Sequence, residues 1–127
     1  MEKEFVPYNQ ALRLKGLGFN EACFGYFDCE RDFKFVQNKT KYLDCEIPRP
    51  TFSQCFRWFR EKHDIVSYIK RFEDNTFDYE CNSPKFKEVI DFEDGPFDTY
   101  EEAELACLER LIDKITNKKI FDFVTEL

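Results

Sequence analysis

Little in this chain offers a familiar chemistry. Histidine occurs once, tryptophan once, glycine four times and proline five times, and none of the six cysteines stands in a C-x-x-C pair. A lone histidine with cysteines at 23, 29, 45, 55, 81 and 107 provides no zinc spacing, so no metal is expected. No glycine-rich loop can cradle a phosphate. The surplus of positive charge that duplex DNA or RNA demands is missing, since the formal net charge is −7. No apolar run approaches a membrane span. The opening MEKEFVPYNQ is charged and lacks an apolar core, so no secretory signal is expected. The acidic run before Gly95 fails as an EF-hand loop, because Ile90 stands where the first calcium ligand belongs.

What the chain has is phenylalanine, sixteen of them, within a length that suits one domain with an adequate core. Scarce glycine and proline argue against disorder. Most of the cysteines read as small core hydrophobes of a reducing cytosol, which gives a cytoplasmic expectation.

Three segments share one local form: Tyr8-Asn9-Gln10-Ala11, Phe52-Ser53-Gln54-Cys55 and Tyr100-Glu101-Glu102-Ala103. Each opens a stretch of helical periodicity. Thr51 with Gln54, and Thr99 with Glu102, have the spacing of capping boxes, whereas Pro7 holds the corresponding place before the first. Helices are expected over residues 8–17, 52–62 and 100–115. The first ends at Gly16 and Gly18; the third buries Leu105, Leu108, Leu111, Ile112 and Ile115 and stops at Asn117-Lys118-Lys119. Alternating apolar residues over 23–27 and 33–36, and again over 65–72 and 76–81, predict two hairpins, with an extended loop over 38–50 between the units and a short fifth strand over 86–92.

The fold class expected is therefore α+β. Two αββ units, about residues 5–37 and 50–92, form a degenerate internal repeat offset by forty-odd residues and build an antiparallel or mixed sheet covered by helices. A C-terminal helix over about 99–117 and an apolar, alternating tail over 118–127 complete a single domain; the tail reads as an edge strand or a docking segment.

The candidate site lies on the second helix. Phe52, Cys55, Phe56, Phe59 and His63 form its core stripe, and Arg57, Trp58, Arg60 and Lys62 fall off it. With Arg49 they make the one local concentration of positive charge. An exposed Trp between arginines suits stacking on a base with phosphate contacts, or anchoring a protein partner. No catalytic constellation stands out around His63, so no enzyme and no cofactor are expected.

The segments FVPYNQALRLKGLGFNEACFGYF, RPTFSQCFRWFREKHDI and FDTYEEAELACLERLIDK together resemble a family of small uncharacterised proteins encoded by bacteriophages and mobile elements of Bacteroidetes. The likeness spans most of the chain, apart from residues 37–46 and the tail, and Cys29, Cys45 and Cys81 lie outside its pattern. It implies an accessory protein acting in the host cell. On this reading the chain acts by stoichiometric binding, as a counter-defence protein and a homo-oligomer, sequestering a nucleotide signal through Arg49, Arg57, Trp58, Arg60, Lys62 and His63. The alternatives are an inhibitor or adaptor of a host protein, using the same face or the tail at 121–124, and a small enzyme centred on His63.

Overall fold

The computed structural model describes residues 2–84 and 95–125. The fold is α+β: three helices and two small antiparallel sheets. Its contacts cluster into two compact units, Met1–Gln54 with Lys114–Leu127, and Cys55–Asp113. The strand expected over 86–92 lies outside the described residues.

In the first unit, α1 (Tyr8–Gly16) begins after Pro7, which offers no side-chain cap. It closes on glycine. Gly18 adopts φ 97°, its amide bonds Lys15 O, and the Phe19 amide bonds Leu14 O at 3.0 Å. This two-bond C-terminal cap needs a left-handed residue, and it brings Phe19 onto Leu14 in the core. Strands β1 (Cys23–Phe27) and β2 (Phe33–Lys39) then pair antiparallel, with a bulge between Cys23 and Gly25. The loop expected over 38–50 contains a further short strand, β3 (Ile47–Pro48), which pairs with β1 on its other side. The sheet order is β2-β1-β3, so β2 forms an edge.

Helix α2 (Phe52–His63) starts at Thr51, whose Oγ1 accepts from the Gln54 amide at 3.2 Å. Gln54 does not complete a reciprocal box; its side chain donates instead to Ala22 O at 2.7 Å. In the second unit the helix ends at Asp64, which takes φ 61°, a conformation aspartate tolerates. Strands β4 (Val66–Arg71) and β5 (Phe77–Asn82) form a separate two-stranded sheet. Two sheets thus stand where the sequence led us to expect one.

The internal repeat is regular in detail. Tyr8 and Phe52 begin helices, Phe27 and Arg71 end strands, Arg31 and Asn75 take left-handed φ, and Phe33 and Phe77 begin strands; every pair is separated by the same 44 residues. Both hairpin turns use the same bonds. The Arg31 amide donates to Asp28 O and the Asp28 amide to Asp32 O, as Asn75 does to Phe72 O and Phe72 to Thr76 O. Such a turn needs a residue at positive φ in its fourth position.

Helix α3 (Tyr100–Thr125) is capped by Thr99, whose Oγ1 accepts from the Glu102 amide at 3.1 Å. Leu108, Leu111, Ile112 and Ile115 are buried as expected, joined by Ala103 and Cys107, while Leu105 is only half-buried. The expected stop at residues 117–119 does not occur. No glycine or proline follows to break the helix, and Lys119 Nζ donates to Leu17 O at 3.0 Å, within the first unit. The tail is therefore helical to Thr125, not an edge strand. Ile120 and Val124 stand four residues apart, a spacing that fits both a strand and a helix.

Candidate functional site

Two of the six candidate residues belong to cores. Arg49 is only 6% exposed. Its guanidinium carbon lies 4.3 Å from the centroid of Phe33, 4.8 Å from Phe27 and 5.8 Å from Phe5. Arg49 Nε donates to Val6 O at 2.6 Å, and Nη1 meets Glu2 Oε1 at 3.1 Å. A guanidinium so enclosed by rings and bonded to the backbone is a fastening between the N-terminal segment and the sheet.

Trp58 is 7% exposed, which corrects its reading as an exposed platform. Its ring packs edge-on to Phe59 at 5.1 Å and to His63 at 4.9 Å, and Phe59 meets His63 at 5.7 Å. The repeat gives the physical reason. Counting back 44 residues places Trp58 on Leu14, Cys55 on Ala11 and His63 on Phe19, all three of which are buried in the first unit. That offset is the sequence signal that would have assigned Trp58 to the core. Of the six, Arg57, Arg60 and Lys62 remain as exposed cations on α2, and His63 is half-buried against Trp58.

A depression in the second unit suits an anion no better. Glu73, Asp74 and Asp78 line a depression of about 610 Å³ beside Phe72 and Pro96. Among the described residues, no group of three or more His, Cys, Asp or Glu side chains is placed to hold a metal ion, and no helix is long and apolar enough to cross a membrane.

A better-built surface lies in the first unit. Phe24 is 63% exposed and Phe35 61% exposed, on the central strand β1 and the edge strand β2 respectively. With Glu4, Phe5, Val36 and Thr51 they line an open cleft of about 500 Å³. Its floor is rigid. Phe35 packs on Phe33 at 4.4 Å and edge-on to Phe5 at 5.7 Å, and Phe5 meets Phe33 at 5.2 Å above Arg49. Gly25 makes this approach possible, because a Cβ there would stand 2.5 Å from Phe33 Cε1 and 3.1 Å from Phe5 Cε1. The Phe5–Thr51 bridge and the Val6–Pro50 hydrogen bond close one end.

The loop before β3 is held just as firmly. Cys29 and Cys45, both exposed, form a disulfide with Cα atoms 4.9 Å apart. This bridge corrects the expectation that these two cysteines are free. The other four cysteines are buried and take part in no disulfide. Lys15 Nζ donates to Asp44 O and, at 2.9 Å, to Glu46 O. Glu46, itself buried, pairs with Lys39 at 3.4 Å and accepts from the Leu43 amide at 2.7 Å. Tyr42 OH donates toward Glu21 O and Lys39 O, each at 3.1 Å.

The shifts of Cys23, Tyr42 and Cys107 run against attack. Burial pushes the Cys23 thiol up to about 11, and burial with the adjacent Cys23 pushes the Tyr42 phenol above its ordinary range. In the second unit, the hydrogen bond shared with Cys81 and then burial push the Cys107 thiol up. A thiol held protonated is a weak nucleophile. No family model, curated protein or solved structure matches the chain.

Proposed function

We propose that the protein acts by stoichiometric binding of a protein partner, with the aromatic cleft of the first unit as its contact surface. The observation that carries this reading is the exposure of Phe24 and Phe35 over a floor fixed by Phe5, Phe33 and Arg49. Two large rings held in water on a preorganised support are the usual form of an interaction anchor. The likeness to mobile-element accessory proteins suggests that the partner is a host factor. Sequestering of a nucleotide is less favoured, because Trp58 and Arg49 serve cores and Arg57, Arg60 and Lys62 are left beside only the half-buried ring of His63 among the candidates.

The test is site-specific photo-crosslinking in host cells with the probe at position 24, and at position 57 as a control. A discrete adduct from position 24, lost when Phe35→Asp is added, supports the reading. Adducts only from position 57 would move the contact to α2, and a thermal shift with nucleotide second messengers that Arg57→Ala abolishes would replace it with the nucleotide reading.

A further inference from the structure

We infer that the partner presents an extended segment that adds as a strand to the free edge of β2, with its apolar side chains against Phe35. This inference rests on the protein-binding reading above and specifies its mode.

The main chain supplies the first argument. In an antiparallel ladder, residues alternate between pairs that exchange both hydrogen bonds and pairs whose amides and carbonyls face outward. The Gly25 carbonyl is turned to β3, where it accepts from the Arg49 amide at 2.9 Å. Gly25 and its partner Phe35 are therefore a pair of the second kind, and so is Phe27 with Phe33, two positions along. The amide and carbonyl of Phe33 and of Phe35 consequently point away from β1. Beyond them no described strand pairs with β2. Four adjacent main-chain groups stand ready for a further strand.

The side chains supply the second argument. Phe33 and Phe35 project their rings to the same face, and Phe35 is the ring left in water. One residue thus offers both an unpaired backbone edge and an uncovered aromatic surface. A helix laid on this cleft would cover the ring and leave the edge unpaired, whereas a strand satisfies both.

Charge narrows the segment further. β2 reads FKFVQNK, with two lysines and no acidic residue. Lys34 lies on the face opposite Phe33 and Phe35, and its side chain is 53% exposed even while it faces Asp28 at 3.8 Å. A segment alternating apolar with acidic residues would match both faces. Lys34 also disfavours pairing of β2 with β2 of a second copy, since an exposed lysine on an edge opposes self-association.

The experiment is to pan a displayed library of random linear peptides on the full-length protein, then follow amide exchange by NMR with an enriched peptide bound. Enrichment of alternating apolar–acidic sequences is expected. The Phe33 and Phe35 amides should exchange at least about tenfold more slowly in the complex, and Phe35→Ala should weaken binding by about tenfold or more. The inference is overturned if no peptide is enriched, or if bound peptides leave both amides in fast exchange. Persistence of the position-24 adduct in either case would leave the protein-binding reading standing with another mode. Slow exchange of both amides in a peptide-free dimer would reassign the edge to a second copy.

Discussion

The guanidinium carbon of Arg49 lies 4.3 Å from the centroid of Phe33, while Arg49 Nε holds Val6 O at 2.6 Å. Removing the guanidinium leaves a buried carbonyl without its donor and the ring cluster without its centre. Arg49→Met should cost about 2–4 kcal/mol in urea denaturation. Arg49→Lys should recover only part of that, because one Nζ does not reproduce the separate Nε and Nη1 donors that meet Val6 O and Glu2 Oε1. Glu2→Gln should cost under about 1 kcal/mol, since that carboxylate is largely exposed. Equal, small losses for all three would show that Arg49 is not the fastening.

Trp58 and Arg57 are neighbours with opposite roles. Trp58→Ala empties a core position and should destabilise by about 3–5 kcal/mol. Arg57→Ala and Arg60→Ala, on the exposed face of α2, should stay within about 0.5 kcal/mol of the parent. Native Trp58 fluorescence should be blue-shifted and poorly quenched by iodide; strong quenching would contradict its burial.

Reduction of Cys29–Cys45 reopens a closure spanning 16 residues. The entropy released to the unfolded chain corresponds to about 3 kcal/mol for a loop of that size. The Cys29→Ser/Cys45→Ser protein, and the parent in dithiothreitol, should lose stability by comparable amounts. Because both cysteines are exposed, reduction should proceed without denaturant. An unchanged denaturation midpoint in reductant would argue that the loop is held by Lys15, Lys39 and Tyr42 alone.

Alkaline pH should weaken the fold through Cys23. Burial raises its folded pKa to about 11, above the value of about 8.5 for an unfolded thiol. The folded state thus binds the proton more tightly. This contribution is fully present below about pH 8.5 and is lost as pH rises through about 11, with a slope of at most about 1.4 kcal/mol per pH unit. Cys23→Ala should flatten the fall in stability over that window. An identical pH profile for the variant would assign the fall to other groups.

The hairpins, the helix starts and the 44-residue repeat were legible because they rest on local chemistry. Thr51 and Thr99 cap the helices they precede, and both turns carry a left-handed residue at the same place. What misled was the helical wheel of α2. It put Trp58 outside a stripe through Phe52, Cys55 and Phe59, yet the buried arc is wider and includes it. Arg49 looked like a surface cation because its charge is visible in the sequence, whereas the ring of Phe5, Phe27 and Phe33 around it comes from segments far apart in the chain.

By itself, then, the sequence determined the α+β class, the two helix-and-hairpin units and the C-terminal helix that follows them. Those properties follow from periodicity and capping, which act over a few residues. Tertiary structure decided which residues face water. It buried Arg49 and Trp58, joined Cys29 to Cys45, kept α3 helical to Thr125, split the strands into two sheets and left Phe24 and Phe35 uncovered. Each of these depends on what a side chain meets across the fold, and contact between distant segments is fixed by packing, not by neighbours in the chain.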